Sequence, residues 1–324
     1  MKYTDNAINV LAARTYKGIG RAWITKNLPV PKPDFEIVKL LNSLSKGVSE
    51  VTIENFKKKK SMITRILAES AGSIDGVVAI GDDEFPPYRG EVKNSEKPIF
   101  LFYRGNLSLL NAQSKTVAVI GLLNPDQEIE AFERVVVSGL VQNGAVIVSG
   151  LALGCDTIAH RQALDLNGLT VAILPGPLND VMPAKNRTLA AEIVNSNGLL
   201  ISEYLTGAKS KMELSGRYQE RDRLQALYSN SIVLSASYAK NDIGNDSGSR
   251  LAMGYAKNYL IPRVVIYNKE NDASNSKYDL NRQIICEDPD VIVVNQHNKS
   301  SVLSDILRLK PKSFNERPFQ PSMI

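Results

Sequence analysis

Between residues 116 and 267, short and almost uninterrupted apolar runs alternate with segments of about 10 to 15 residues whose apolar positions recur at helical spacing. Residues 116–121 precede 127–142, residues 145–149 precede 156–167, and residues 170–174 precede 186–195. The alternation continues through 199–202, a helix holding 224–227, then 231–236, 247–258 and 263–267. A sheet covered on one face only would alternate polar with apolar residues. Strands that are apolar throughout, each followed by a helix, require a parallel sheet covered on both faces. The chain is therefore predicted to be α/β, with a Rossmann-like doubly wound, mostly parallel sheet over residues 73–296. Two further strands, 76–80 and 98–103, open this unit. A small N-terminal helical domain occupies residues 1–72. The tail, 297–324, holds at most one helix, over 300–309, and no winged helix is recognisable in it.

The most informative junction is residues 145–164, AVIVSGLALGCDTIAHRQAL, where the apolar run stops at Ser149-Gly150 before a helix-period segment begins near Asp156. A strand, a glycine loop and a helix start leave backbone N–H groups unpaired at the carboxyl edge of the sheet. The positive end of the helix dipole points there too, so a phosphate-bearing ligand is expected. Four loops reach that edge in this reading: 121–126, 149–154, 175–179 and 246–250. The second and fourth combine small residues with a helix N-terminus, which makes Ser149, Gly150, Leu151, Gly154, Ser247, Gly248, Ser249 and Arg250 candidate phosphate contacts. Arg221 and Arg223, just ahead of the 224–227 helix, join Lys185, Arg187 and Arg250 as cations suited to successive phosphates. The alternative for either arginine is an ion pair with Glu203 or Asp222 that holds loops in place. Tyr204, Tyr218 and Tyr228 flank these loops and could stack on bases, with core packing the stronger reading for Tyr228.

Two groups that invite a catalytic reading have plainer ones. Asp156 stands where an N-cap would bond the free amides of the helix from Thr157. His160, one turn further on, lacks an orienting carboxylate and a nucleophile, and is read as a packing or capping residue. No Gly-x-Ser-x-Gly elbow, HExxH or P-loop lysine occurs, so neither a catalytic residue nor a metal or cofactor is assigned. Cys155 and Cys286 are too far from each other and from other ligand types to suggest a disulfide or zinc; both are read as buried thiols. Without an apolar run of about 18 residues or a signal-like N-terminus, a cytoplasmic protein with no membrane contact is expected. A net charge of +5 permits a polyanionic partner without demanding one. Near the N-terminus, residues 6–28 read as a helical hairpin around Tyr16-Lys17-Gly18-Ile19-Gly20. The turn is either a plain tight turn or similar to a helix-hairpin-helix element, whose loop amides contact DNA phosphate. The run Lys57-Lys58-Lys59-Lys60 reads as a solvated helix face.

Taken together, the motifs resemble the DNA-processing protein A family, also called DprA or Smf. The matching stretches are Ser149-Gly150-Leu151-Ala152-x-Gly154-x-Asp156-x-x-Ala159-His160, Gly168-x-Thr170-Val171-Ala172-Ile173-Leu174 and Pro183-x-x-Asn186-x-x-Leu189. Gly198-Leu-Leu-Ile-Ser202-Glu203-Tyr204, Arg221-x-Arg223 with Ala226 and Ser229, and Ser247-Gly248-Ser249 complete them. The resemblance covers roughly residues 75–267. It implies a Rossmann-like fold, binding of single-stranded DNA in a basic pocket, homodimerisation, and protection of incoming DNA with loading of a RecA-type recombinase during DNA uptake.

The chain departs from the family pattern at informative places. Gly121-Leu122-Leu123-Asn124 stands where the family carries Gly-Ser-Arg, so one phosphate-binding arginine is missing. Asp222 replaces the asparagine between the two arginines, Leu227 replaces a glycine, and Arg250 stands where an apolar residue is usual. The loss of one phosphate contact is expected to weaken binding and flatten its salt dependence, with Arg250 partly substituting. Two other readings follow from the same resemblance. One is a nucleotide sensor or nucleotide N-glycosidase of the broader superfamily, whose Pro-Gly-Gly-x-Gly-Thr loop Pro175-Gly176-Pro177 does not match. The other is an inert relative acting as a scaffold or a defence-associated protein.

Overall fold

The computed structural model describes residues 1–43, 50–240 and 248–311. Four helices come first: α1 (Asp5–Arg14), α2 (Arg21–Asn27), α3 (Asp34–Asn42) and α4 (Ile53–Glu69). Thr4 and Thr52 cap α1 and α4 by accepting from Ala7 N and Asn55 N. Two strands follow, β1 (Gly76–Ala79) and β2 (Phe100–Gly105). Strand and helix then alternate: β3 (Thr116–Ile120), α5 (Gln127–Gln142), β4 (Val146–Ser149), α6 (Cys155–Asp165), β5 (Thr170–Ile173), α7 (Arg187–Asn195) and β6 (Leu199–Ser202). The rest is α8 (Lys211–Leu227), β7 (Ser231–Leu234), α9 (Gly248–Asn258), β8 (Arg263–Ile266), α10 (Lys269–Asp272), α11 (Asp279–Glu287), β9 (Ile292–Val294) and α12 (Lys299–Ile306). No helix among the described residues is long and apolar enough to cross a membrane.

Among the described residues, nine strands form one sheet in the order β1-β2-β6-β5-β4-β3-β7-β8-β9. Every pairing from β6 to β9 is parallel, whereas β1–β2 and β2–β6 are antiparallel. The predicted doubly wound, mostly parallel α/β fold is therefore present. The chain winds outward from β3 through β4, β5 and β6, then returns to the other side of β3 as β7. That reversal is the switch point of the sheet, and the crevice at its carboxyl edge is the place where such folds bind ligands.

The strand side chains explain why both faces are covered. Val117 and Val119 join Val136, Val137 and Leu140 of α5 and Ala159 of α6 on one face. Ala118 and Ile120 turn the other way, to Leu224 and Leu227 of α8 and Met253 of α9. The N-terminal helices do not stand apart from this arrangement. Ile8, Leu11, Ile24 and Phe56 share one buried cluster with Val77, Leu174, Leu178 and Leu189.

Two expectations need correction here. Arg221 and Arg223 do not lead into a helix but lie inside α8, which starts ten residues before Arg221 with Ser210 as its cap. Cys155 is buried as expected, but Cys286 is exposed on α11.

Candidate nucleic-acid interface at the switch point

The loop after β4 is shaped by two residues in the left-handed region, Leu151 at φ 59° and Gly154 at φ 72°. A Cβ on Gly154 would lie 2.2 Å from Leu122 O, so only glycine lets the β3 and β4 loops approach so closely. The Cys155 amide then donates to Leu122 O at 2.9 Å and ties the loops together. A Cβ on Gly150 would fall 1.1 Å from Arg221 Nη1. Gly150 is therefore small because the guanidinium of Arg221 lies across it.

The loop amides are already engaged. Asp156 accepts from Gly150 N at 3.1 Å and Ala152 N at 3.2 Å. It reaches back into the loop instead of capping its own helix, and Gly154 occupies the N-cap position of α6. The amide oxygen of Gln225, turned toward the loop, accepts from Gly150 N and Arg221 Nη1, both at 3.0 Å. Asn186 donates to Leu151 O at 2.8 Å and to the Thr157 hydroxyl at 2.8 Å, propping the loop from below.

A cavity of about 420 Å³ opens beside this loop, between the ends of β3 and β4, Pro183, α8 and the start of α9. Arg221, Asp156, Asp222 and Gln225 supply its polar lining, and Tyr218, Leu123 and Leu153 part of its rim. Arg221 is 5% exposed, with Nε 3.2 Å from Asp222 Oδ1 and Nη1 3.7 Å from Asp156 Oδ2. Its guanidinium carbon stands 5.6 Å from the centre of the Tyr218 ring. Burial raises the Asp222 carboxyl to about 7, Arg221 pulls it down, and nearby Asp156 pushes it up. Burial likewise lifts the Asp156 carboxyl above its ordinary value, against the opposing pull of Arg221. Behind the Gly121 turn, desolvation raises fully buried Glu133 to about 8, so it is mainly protonated at neutral pH.

The remaining predicted residues divide by position. Gly248 and Ser249 line the cavity at the start of α9, and Ser249 donates its hydroxyl to Gly121 O at 2.9 Å. Arg250 follows them in the same helix turn and is half-buried. Ser247 lies outside the described residues. The Ser149 hydroxyl points into the sheet and donates to Val119 O at 2.7 Å. Lys185 is exposed on the segment after Pro183, while Arg187 pairs with Asp180 at 3.0 Å on the surface.

Arg223 is the clear departure from the predicted basic rim. It is 1% exposed and holds Glu203 in a two-pronged pair at 2.7 and 2.8 Å. The ion-pair reading held open for this arginine is the one its geometry takes. Arg21 of α2 joins the same Glu203 at 3.1 Å and reaches Glu220 at 2.7 Å, so the network links the N-terminal helices to α8. Tyr204 packs its ring under Arg217 at 4.2 Å, and Tyr228 is fully buried. The loop 175–179 does not reach the cavity: it is buried through Leu178, and Gly176 O accepts from Ser202. His160 is fully buried beside the Thr170 hydroxyl at 2.7 Å, and desolvation, with the charge of Arg221, presses it down to about 3. It is a neutral packing residue. Asn186 and Gln225 build the site without having been singled out. Asn186 stood within a quoted motif, but nothing in the spacing of Gln225 marks it.

The chain is 31% identical to Protein Smf of Synechocystis over 180 residues, 55% of this chain and 42% of that protein. It is 36% identical to DNA processing protein DprA of Streptococcus pneumoniae over 148 residues, 46% of this chain and 49% of that protein. The chain thus matches about half or less of the length of these relatives. The crystal structure of Streptococcus pneumoniae DprA shares the fold, with a TM-score of 0.68 at 24% identity over 92% of this chain and 97% of that one. DNA processing protein A from Helicobacter pylori, described as having a unique single-stranded DNA binding mode, superposes with a TM-score of 0.54 at 25% identity. That match covers 69% of this chain and 98% of the Helicobacter chain. The family model for DNA recombination-mediator protein A matches residues 76–295, well over half of the sequence, and the chain belongs to that family.

Proposed function

We propose that this protein binds single-stranded DNA at the switch-point cavity and acts in DNA recombination, protecting incoming strands and passing them to a RecA-type recombinase, as a homodimer. The observation that carries the binding step is Arg221, a buried guanidinium laid over Gly150 at the floor of an open cavity with Tyr218 at its rim. Gly248 and Ser249 line the same cavity, and Arg250 and Lys185, one and two residues in sequence from lining positions, are the further contacts of this proposal. Leu151 and Gly154 shape the loop, and Arg223 acts by positioning α8 through Glu203. The Asp156 carboxylate occupies the amides that a phosphate would otherwise use, so the strand is read chiefly by side chains. Family membership supports the recombination role, and the Helicobacter relative supports single strands as the ligand.

Fluorescence anisotropy with labelled oligo-dT and with duplex DNA across a salt series tests this reading. The wild type should prefer the single strand, and Arg221→Ala should lose affinity and about one ion of salt dependence. Equal affinity for both DNA forms, or an unchanged Arg221→Ala variant, would remove it.

A further inference from the structure

Positive charge is concentrated away from the cavity. Residues 1–72 contain 13 of the 39 lysines and arginines but 6 of the 34 aspartates and glutamates. The helical N-terminal unit therefore carries a net +7 and the remainder of the chain −2. Part of this charge lies on α4, which holds five lysines and arginines against two glutamates, whereas α3 is net −1. A shallow groove of about 640 Å³ runs along α4, lined by Asp34, Lys57, Lys60, Ser61, Thr64 and Arg65. Asp5 and Asp34 hold Lys60 at 2.9 and 2.8 Å, a cluster of net −1, so the groove's positive charge rests on its other cations. Lys57, Lys58 and Arg65 remain on exposed positions of the helix. Lys58 and Arg65 pair with Glu54 and Glu69 in their own helix, both solvent-exposed contacts that are weak in water. Lys59 turns to the other flank and sits 4.5 Å over the ring of Tyr16, at the hairpin turn.

A second feature separates this face from an ordinary solvated one. Phe35 is 61% exposed, next in sequence to the Asp34 that lines the groove, and Lys39 follows it by one helical turn on the same open side of α3. A large exposed aromatic on the helix packed against cationic α4 suits a ligand that offers both phosphates and unpaired bases. Neither duplex DNA nor an anionic lipid headgroup presents a free base face.

We propose that the groove along α4, with the exposed flanks of α3 and α4 beside it, is a second site for single-stranded nucleic acid, in which Lys57, Lys58 and Arg65 contact phosphates and Phe35 stacks on a base. The site does not depend on the cavity reading. The test uses the full chain and a fluorescent oligo-dT of about 20 nucleotides, in the wild-type and Arg221→Ala backgrounds. The triple variant Lys57→Ala/Lys58→Ala/Arg65→Ala should bind at least about tenfold more weakly at low salt. Its salt slope should fall by about 2, because each lost phosphate contact removes about 0.7 for a single strand. Phe35→Ala should weaken binding by about fivefold or more with the slope unchanged, since stacking releases no counterions. All four side chains are exposed, so melting temperatures should stay at the wild-type value and mark any misfolded variant. Unchanged affinity and slope in the triple variant would overturn the site, and so would an unchanged Phe35→Ala. Loss of binding to phosphatidylglycerol vesicles with oligo-dT binding intact would overturn it in favour of a membrane surface. Failure of the cavity reading appears differently, as an Arg221→Ala background that binds like the wild type.

Discussion

Arg221 and Arg223 lie two residues apart on α8, share a side-chain type and are both almost wholly buried, but they face different parts of the molecule. Two residues turn a helix by about 200°, which sends one guanidinium to the cavity and the other to Glu203. On the Arg223 side the charges balance: Glu203 and Glu220 meet Arg223 and Arg21 in a closed network. On the Arg221 side two carboxylates with raised pKa values crowd one arginine beside an open cavity. A charge-balanced network holds elements together, whereas an acid-crowded cation next to solvent can exchange a protein carboxylate for a ligand anion. Burial alone does not distinguish a structural charge from a functional one; the balance of its partners does.

The strongest way to break this comparison is Arg223→Ala. It leaves Glu203 almost fully buried with Arg21 as its remaining cation, and a buried pair broken from one side typically costs about 3 to 5 kcal/mol. Thermal or urea unfolding should show that loss, with the salt slope for oligo-dT unchanged in the protein that remains folded. A variant of wild-type stability that has lost DNA binding would reverse the roles of the two faces. Gly150→Ala comes next. The added Cβ requires the Arg221 guanidinium to leave the loop, so DNA affinity should fall to that of Arg221→Ala, and overpacking should cost about 1 to 3 kcal/mol. Wild-type anisotropy with Gly150→Ala would mean that Arg221 binds without this seat.

The smallest expected effect is the most diagnostic of the crowded face. Asp222 is raised to about 7, so it is largely neutral at pH 6 and charged at pH 8. DNA affinity should therefore decline as pH rises through 7, because the carboxylate then competes with phosphate for Arg221. Asp222→Asn should bind a few-fold more tightly at pH 8, match the wild type at pH 6 and flatten the profile, as read by anisotropy at both pH values. The same shift has a stability sign. A carboxyl with a raised folded pKa adds stability at low pH that fades as pH climbs from the ordinary carboxylate range to about 7. Asp222→Asn should remove that part of the pH dependence of melting.

Legibility in the sequence followed the character of the buried face. The strands were readable because each is apolar on both sides, and α5 because Ile129, Val136, Val137 and Leu140 repeat at helical spacing. Residues 211–223 of α8 are not readable as helix. The helix buries Arg217, Arg221, Asp222, Arg223 and Gln225, and a hidden face that is largely charged has no apolar stripe to reveal it. The glycine junction at Ser149-Gly150 is legible as the end of β4 at the switch-point edge of the sheet, but the occupant of its amides is not. Asp156 was read as bonding its own helix, and only the folded loop brings its carboxylate onto Gly150 and Ala152.

The order of apolar runs and helical segments, together with the glycines that punctuate them, was enough to set the α/β class and the sheet edge where ligands belong, because periodicity and turn chemistry act over a few residues. Which arginine faces that edge was decided only by the tertiary structure. So was the placement of carboxylates around Arg221 and the tie from Arg21 to Glu203 across 182 residues of chain. Charge pairing depends on distance in space, and no local pattern in a sequence encodes contacts between segments so far apart.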